Sequence, residues 1–100
     1  MPGAPVLSEV EADAIRTDPR ARDGLRRALA RMTRFYTDTD GWLSRYDHNH
    51  LRITRILGAT QDLIGREPAA SFHRFVTERN AAAGAPVNPE SFRYWARALD

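Results

Sequence analysis

YDHNHLRITRIL, Tyr46 to Leu57, sets a dense polar block against a run of isoleucine and leucine, and its reading decides the fold. Asp47 is a strong helix cap: its carboxylate accepts backbone N–H groups that a first turn leaves unpaired, and its charge faces the positive end of the helix dipole. Beyond it, Ile53, Ile56, Leu57, Thr60 and Ile64 recur at three- and four-residue steps until Gly65. Asp47 to Ile64 is therefore predicted to be one helix with a left-handed glycine stop. Ile53, Thr54 and Ile56 are poor helix formers, so their grouping implies that burial rather than propensity keeps the segment helical. This helix is expected to be central, with a buried start at which His48, Asn49 and His50 need hydrogen-bond partners.

Outward from this segment the same periodicity recurs. Upstream, Ser8 and Glu11 form a capping-box pattern before Val10, Ala14 and Ile15, which predicts a short helix over 8–17. Asp18-Pro19 opens a second helix, to about Tyr36, with Leu25, Ala28, Leu29, Met32, Phe35 and Tyr36 on one side. Arg20, Arg27, Arg31 and Arg34 lie on the other, a solvated face by ordinary amphipathic logic. TDTDGW breaks the pattern; Asp38, Asp40 and Gly41 supply turn chemistry, while Trp42 and Leu43 pin the loop to the core.

Downstream, Pro68 is expected to open a fourth helix bearing Phe72, Phe75 and Val76, which AAAGAP ends through Gly84 and Pro86. Asn88-Pro89-Glu90 opens a fifth, whose stripe of Phe92, Trp95, Ala96 and Leu99 carries helix to Asp100. The leading MPGAPVL reads as an extended arm over 1–7 that packs through Val6 and Leu7. No alternating strand pattern, hairpin signal or repeat is present. The expectation is all-α: a compact bundle of about five helices, one domain over 8–100, with a short extended N-terminal arm.

At 100 residues, 42% hydrophobic and 28% charged, the chain suits a single globular core. Cysteine is absent, which removes disulfides and thiolate zinc sites and fits a reducing compartment. Apolar runs are too short for a membrane span or a signal-peptide core, so a soluble cytoplasmic location with no membrane role is expected. All fifteen basic residues are arginine, the composition of a GC-rich bacterial genome. A net charge of +2 argues only weakly for nucleic acid, despite a pI near 9.7, because thirteen carboxylates interleave with the arginines.

Several chemistries compete for the polar block. Asp47, His48 and His50 are a candidate metal set, but residues two apart on a helix point about 200° away from each other. The DHNH string is an accidental match to the HNH nucleases, whose named residues are spread over a ββα unit. DTDGW approaches a calcium-loop pattern and fails at its ends, where Tyr36 and Asp47 stand in place of the wanted aspartate and glutamate. Catalysis through Asp47 and a histidine has only Ser44 and Thr54 as local hydroxyls, and no phosphate loop or paired glutamates occur elsewhere. No catalytic residue, metal or cofactor is assigned. Two readings of the block remain: an internal polar network, or a ligand or partner site in which Arg52 and Arg55 share a face and hold an anion.

WLSRYDHNHLRITRIL, Trp42 to Leu57, resembles the central motif of the opioid growth factor receptor conserved region. PGAPVLSEVEADAIR, LRRALARMTRFY and NPESFRYWARAL are similar to that family's lead segment, second helix and closing helix. The family's region begins further upstream with His-Asp-Tyr-Ile-Gln-Trp-Leu-Phe-Pro, which this chain lacks, so a naturally short or upstream-trimmed form is expected. Animal relatives are described as enkephalin-type peptide receptors associated with the nucleus; the family assigns no catalytic residues, and opioid binding is not transferred.

The function expected is a non-enzymatic module that binds a protein or peptide. Trp42 would offer apolar area, Asp47, His48, Asn49 and His50 hydrogen bonds, and Arg52 and Arg55 a fork for carboxylate or phosphate. Self-association is expected if that surface is left uncovered. The alternatives are nucleic-acid binding through Arg27, Arg31 and Arg34, and a metal-dependent enzyme using Asp47, His48 and His50.

Overall fold

Five α-helices follow one another in the computed structural model, which describes residues 8–100: α1 (Glu9–Thr17), α2 (Pro19–Asp38), α3 (His48–Leu63), α4 (Arg66–Ala82) and α5 (Pro89–Arg97). No strand occurs among the described residues, and the architecture is the expected all-α bundle. The expected arm, 1–7, lies outside them.

Side-chain caps set most of the helix starts. The Ser8 hydroxyl accepts from Glu11 N at 3.1 Å while the Glu11 carboxylate accepts from Ser8 N at 3.2 Å, a complete capping box. Asp18, Asp47 and Asn88 cap α2, α3 and α5 through backbone N–H groups of Arg20, Asn49 and Ser91. α4 departs from expectation by starting at Arg66, two residues before Pro68. Proline at the third helical position removes only an N–H that has no partner inside the helix anyway, so it does not mark the boundary. The boundary lies at Gly65, whose φ of 150° and ψ of 171° belong to a region essentially reserved for glycine. α5 ends at Arg97 rather than Asp100; a side chain of α3 claims the tail, with Gln61 Nε2 donating to Leu99 O at 2.5 Å.

α3 is central, packing against each of the other four helices. Its Ile53 and Leu57 are fully buried and meet Tyr36 of α2, Trp42 of the following loop, Phe72 and Val76 of α4, Val87, and Trp95 of α5. The rings form a continuous set, Tyr36 lying edge-on to Trp42 at 5.4 Å and Trp42 tilted against Trp95 at 6.4 Å. Val10 does not join the packed face of α1, being 79% exposed. The stripe that packs is Ala12, Ile15 and Arg16, and Val10, two positions from Ala12, points away.

Arginines close the helix ends. Arg22 donates to the carbonyls of Arg16 and Ile64, and Arg79 to those of Thr37 and Thr39 at the end of α2. Arg16 reaches both the carbonyl and the carboxylate of Asp62, and that pairing raises its pKa further above the ordinary arginine value. Each supplies positive charge and N–H donors to carbonyls that a helix C-terminus leaves unpaired.

Trp42 is 1% exposed and donates through Nε1 to Tyr36 O at 3.2 Å and Thr39 O at 3.0 Å. Truncating a buried ring of this size costs about 3 to 5 kcal/mol. Trp42→Ala is therefore expected to abolish or sharply lower the cooperative urea transition, whereas Tyr46→Ala, at a position 72% exposed, should shift it by less than about 0.5 kcal/mol.

Candidate binding groove at the start of the central helix

The polar block divides between structure and surface. Asp47 Oδ1 accepts from both the backbone N and the side-chain Nδ2 of Asn49, each at 2.8 Å, and Asn49 Oδ1 accepts from the Tyr36 hydroxyl at 3.2 Å. His50 is 3% exposed, and its Nε2 lies 2.7 Å from Trp42 O. A carbonyl can only accept, so Nε2 carries a proton, and Nδ1 is buried without a partner in the protein. The His50 carbonyl in turn accepts from Trp95 Nε1 at 3.0 Å and from the Thr54 hydroxyl. Asp47, Asn49 and His50 thus tie α2, the Trp42 loop, α3 and α5 together.

The electrostatics follow from these bonds. The Asn49 backbone N–H holds the Asp47 carboxyl below its ordinary value; desolvation opposes this, and the Asn49 amide and nearby histidines add to it. Burial pushes the Tyr36 hydroxyl up, with Arg52 beside it acting the other way.

The expected recognition surface needs correction at Trp42. Its indole is buried in the core and offers no area to a partner, because both sides of the ring are taken up by Tyr36, Trp95 and Arg79. His48 is the exposed histidine, its side chain 83% accessible and its Nδ1 3.8 Å from Asp47 Oδ1. The two imidazoles therefore occupy different environments. Arg52 and Arg55 are exposed on α3 but do not border the groove that its first turns create.

That groove, about 470 Å³, lies between the start of α3 and α5 and is walled by Tyr46, His48, Leu51, Thr54 and Tyr94, with His50 also lining it. Tyr46, Leu51 and Tyr94 are 72%, 56% and 48% exposed, so three large apolar side chains converge on one open surface. Asn88 fixes the arrangement: its backbone N and its Nδ2 both donate to Arg45 O, at 3.2 and 2.7 Å, which anchors the Tyr46 segment to the start of α5. Arg45 and Arg97 lie over the rings of Tyr46 and Tyr94 at 5.7 and 5.9 Å. The sequence reading missed Tyr46, Leu51 and Tyr94. Their signal was phase, since Leu51 and Tyr94 fall outside the three- and four-residue stripes of their helices.

Two of the groove's hydroxyls are engaged, Thr54 donating to His50 O and Ser91 Oγ accepting from Asn88 Nδ2 at 2.9 Å. Among the described residues no three histidine or carboxylate side chains converge as metal ligands.

Asp47→Ala should cost about 1 kcal/mol at neutral pH through loss of the α3 cap. Because folding lowers the Asp47 pKa, its contribution is complete above the ordinary value near 3.8 and disappears as pH falls through the folded-state value. Urea denaturation across this range should show the difference between wild type and Asp47→Ala shrinking as pH drops; a difference that grows would contradict the cap.

No family model, curated protein or solved structure matches the chain, so the groove is read from its own residues.

Proposed function

We propose that this chain is a non-enzymatic interaction module of the opioid growth factor receptor conserved region type, cytoplasmic and bacterial, which binds a peptide segment of a partner protein in the α3–α5 groove. The observation that carries this reading is the convergence of exposed Tyr46, Leu51 and Tyr94 in one groove, outside a core that already buries eight large or medium apolar side chains. Tyrosine gives rigid contact area with a polar tip and is favoured at binding hot spots. Arg45 and Arg97, held over those rings, set positive charge at the rim, which suits an apolar anchor flanked by carboxylates. The family resemblance of the Trp42–Leu57 block supports the same reading. Consistent with a soluble setting, no helix among the described residues is long and apolar enough to cross a membrane.

Display selection of peptides on the purified protein, followed by calorimetric titration, tests this directly. Selected peptides should combine an apolar anchor with acidic neighbours, and Leu51→Glu or Tyr94→Ala should weaken them at least about tenfold, the scale of a hot-spot loss above 1 kcal/mol. Enrichment of no peptide, or affinities unchanged in both variants, would overturn the reading. A concentration-dependent dimer that Leu51→Glu dissolves would assign the groove to a second copy of the chain instead.

A further inference from the structure

Charge is unevenly distributed along this chain. The net charge is only +2, yet α2 alone carries Arg20, Arg22, Arg26, Arg27, Arg31 and Arg34 against two carboxylates, Asp23 and Asp38. Elsewhere four arginines have work inside the molecule, Arg16 and Arg79 binding helix-end carbonyls and Arg45 and Arg97 lying over tyrosines, while the other exposed arginines are scattered over α3, α4 and α5. On α2 only Arg22 has such work.

Arg20, Arg27, Arg31 and Arg34 all lie exposed on the side of α2 away from the core. Among the described residues a carboxylate approaches within ion-pair distance only at Arg27, through Asp23 one turn before it. Arg31 follows Arg27 by four positions and precedes Arg34 by three, the spacings at which like charges repel along a helix. The first turn of α2 contains no acidic residue and does contain Arg20, facing the positive end of the dipole. Apart from the Arg27–Asp23 pair within α2 itself, these charges support no contact in the molecule and repel one another along the helix, which points outward to an anion.

We propose that the outer face of α2 binds the phosphate backbone of duplex DNA without reading its sequence. From Arg20 to Arg34 the ridge extends roughly 21 Å at 1.5 Å per residue, long enough to meet several phosphates of a duplex that carries about one charge per 1.7 Å. A single helix is the element that a major groove about 12 Å wide admits. Between the arginines stand Asp23, Gly24 and Ala30, with no asparagine or glutamine to pair with an adenine, which leaves the arginines, here assigned to phosphates, as the groups able to touch a base edge. Single-strand recognition needs a series of aromatic platforms, and beside the ridge stands a single exposed ring, Phe35, edge-on to Tyr36 at 5.1 Å. The inference is independent of the α3–α5 groove.

Fluorescence anisotropy of a short labelled DNA duplex, titrated with the full chain at several potassium chloride concentrations, tests it. The logarithm of affinity should fall linearly with the logarithm of salt, with a slope near −3.6 for about four phosphates. Combined Arg27→Gln, Arg31→Gln and Arg34→Gln should flatten that slope by about 2.7 and weaken low-salt binding at least about tenfold. Its thermal midpoint should equal or exceed that of wild type, since repulsion is relieved. The control variant Arg52→Gln, Arg55→Gln and Arg74→Gln removes equal charge from α3 and α4 and should retain the wild-type slope. Absence of salt-dependent binding, equal losses in the two triple variants, or tighter binding of the corresponding single strand would overturn the proposal.

Discussion

The carbonyl of Trp42, held by the buried imidazole of His50, is the contact on which the arrangement depends. It is the middle link of a relay: the Trp42 indole donates to Tyr36 O at the end of α2, His50 donates to Trp42 O, and the Trp95 indole donates to His50 O. Three elements distant in sequence are joined by groups that are all buried, where an unsatisfied partner costs about 1 to 3 kcal/mol. Non-directional apolar burial supplies most of the driving force, but it tolerates sliding; these directed bonds fix which turn of α3 meets which turn of α5. The groove inherits its shape from that register.

Arginine performs three distinct tasks here, and the guanidinium explains each. Its forked donors allow Arg22 to bind carbonyls of two helices at once and Arg16 to take both oxygens offered by Asp62. Its flat, weakly hydrated face lets Arg79 lie over Trp42 while donating to Thr37 and Thr39. On α2 it serves as a permanent, solvated positive charge. A composition with no lysine is thus compatible with quite different local physics, and only the surroundings of each side chain separate the uses.

Much of the helix map was legible because caps and periodicity are local. Ser8 with Glu11, Asp18-Pro19, Asp47 and Asn88-Pro89 announce starts within a few residues, and Asp47 acts as the cap its position implied. Pro68 misled because a proline is tolerated throughout the first turn, so it bounds a helix start only to within a few positions. Trp42 carried two expectations, an anchor pinning its loop to the core and a contact area for a partner; a tryptophan in a polar loop allows either, and burial against α4 and α5 selects the anchor. Tyr46 and Tyr94 stand 48 positions apart, and nothing local foretells that Asn88 brings their segments together. A site built across two helices is a property of packing, and pattern within either helix cannot encode it.

One wall of the groove is the first turns of the helix that docks against all four others, and the other wall is tied to it through Asn88 and Trp95. Opening it means loosening the same buried segment that sustains cohesion, so recognition and global unfolding belong to a single cooperative unit. Whatever occupies the groove then stabilises the fold by mass action, by about 1.4 kcal/mol for each tenfold excess of ligand over its dissociation constant, and raises the melting temperature accordingly. Thermal shift becomes a ligand detector for this molecule, and a compound that leaves the melt unmoved at saturating concentration has no preference for the folded chain.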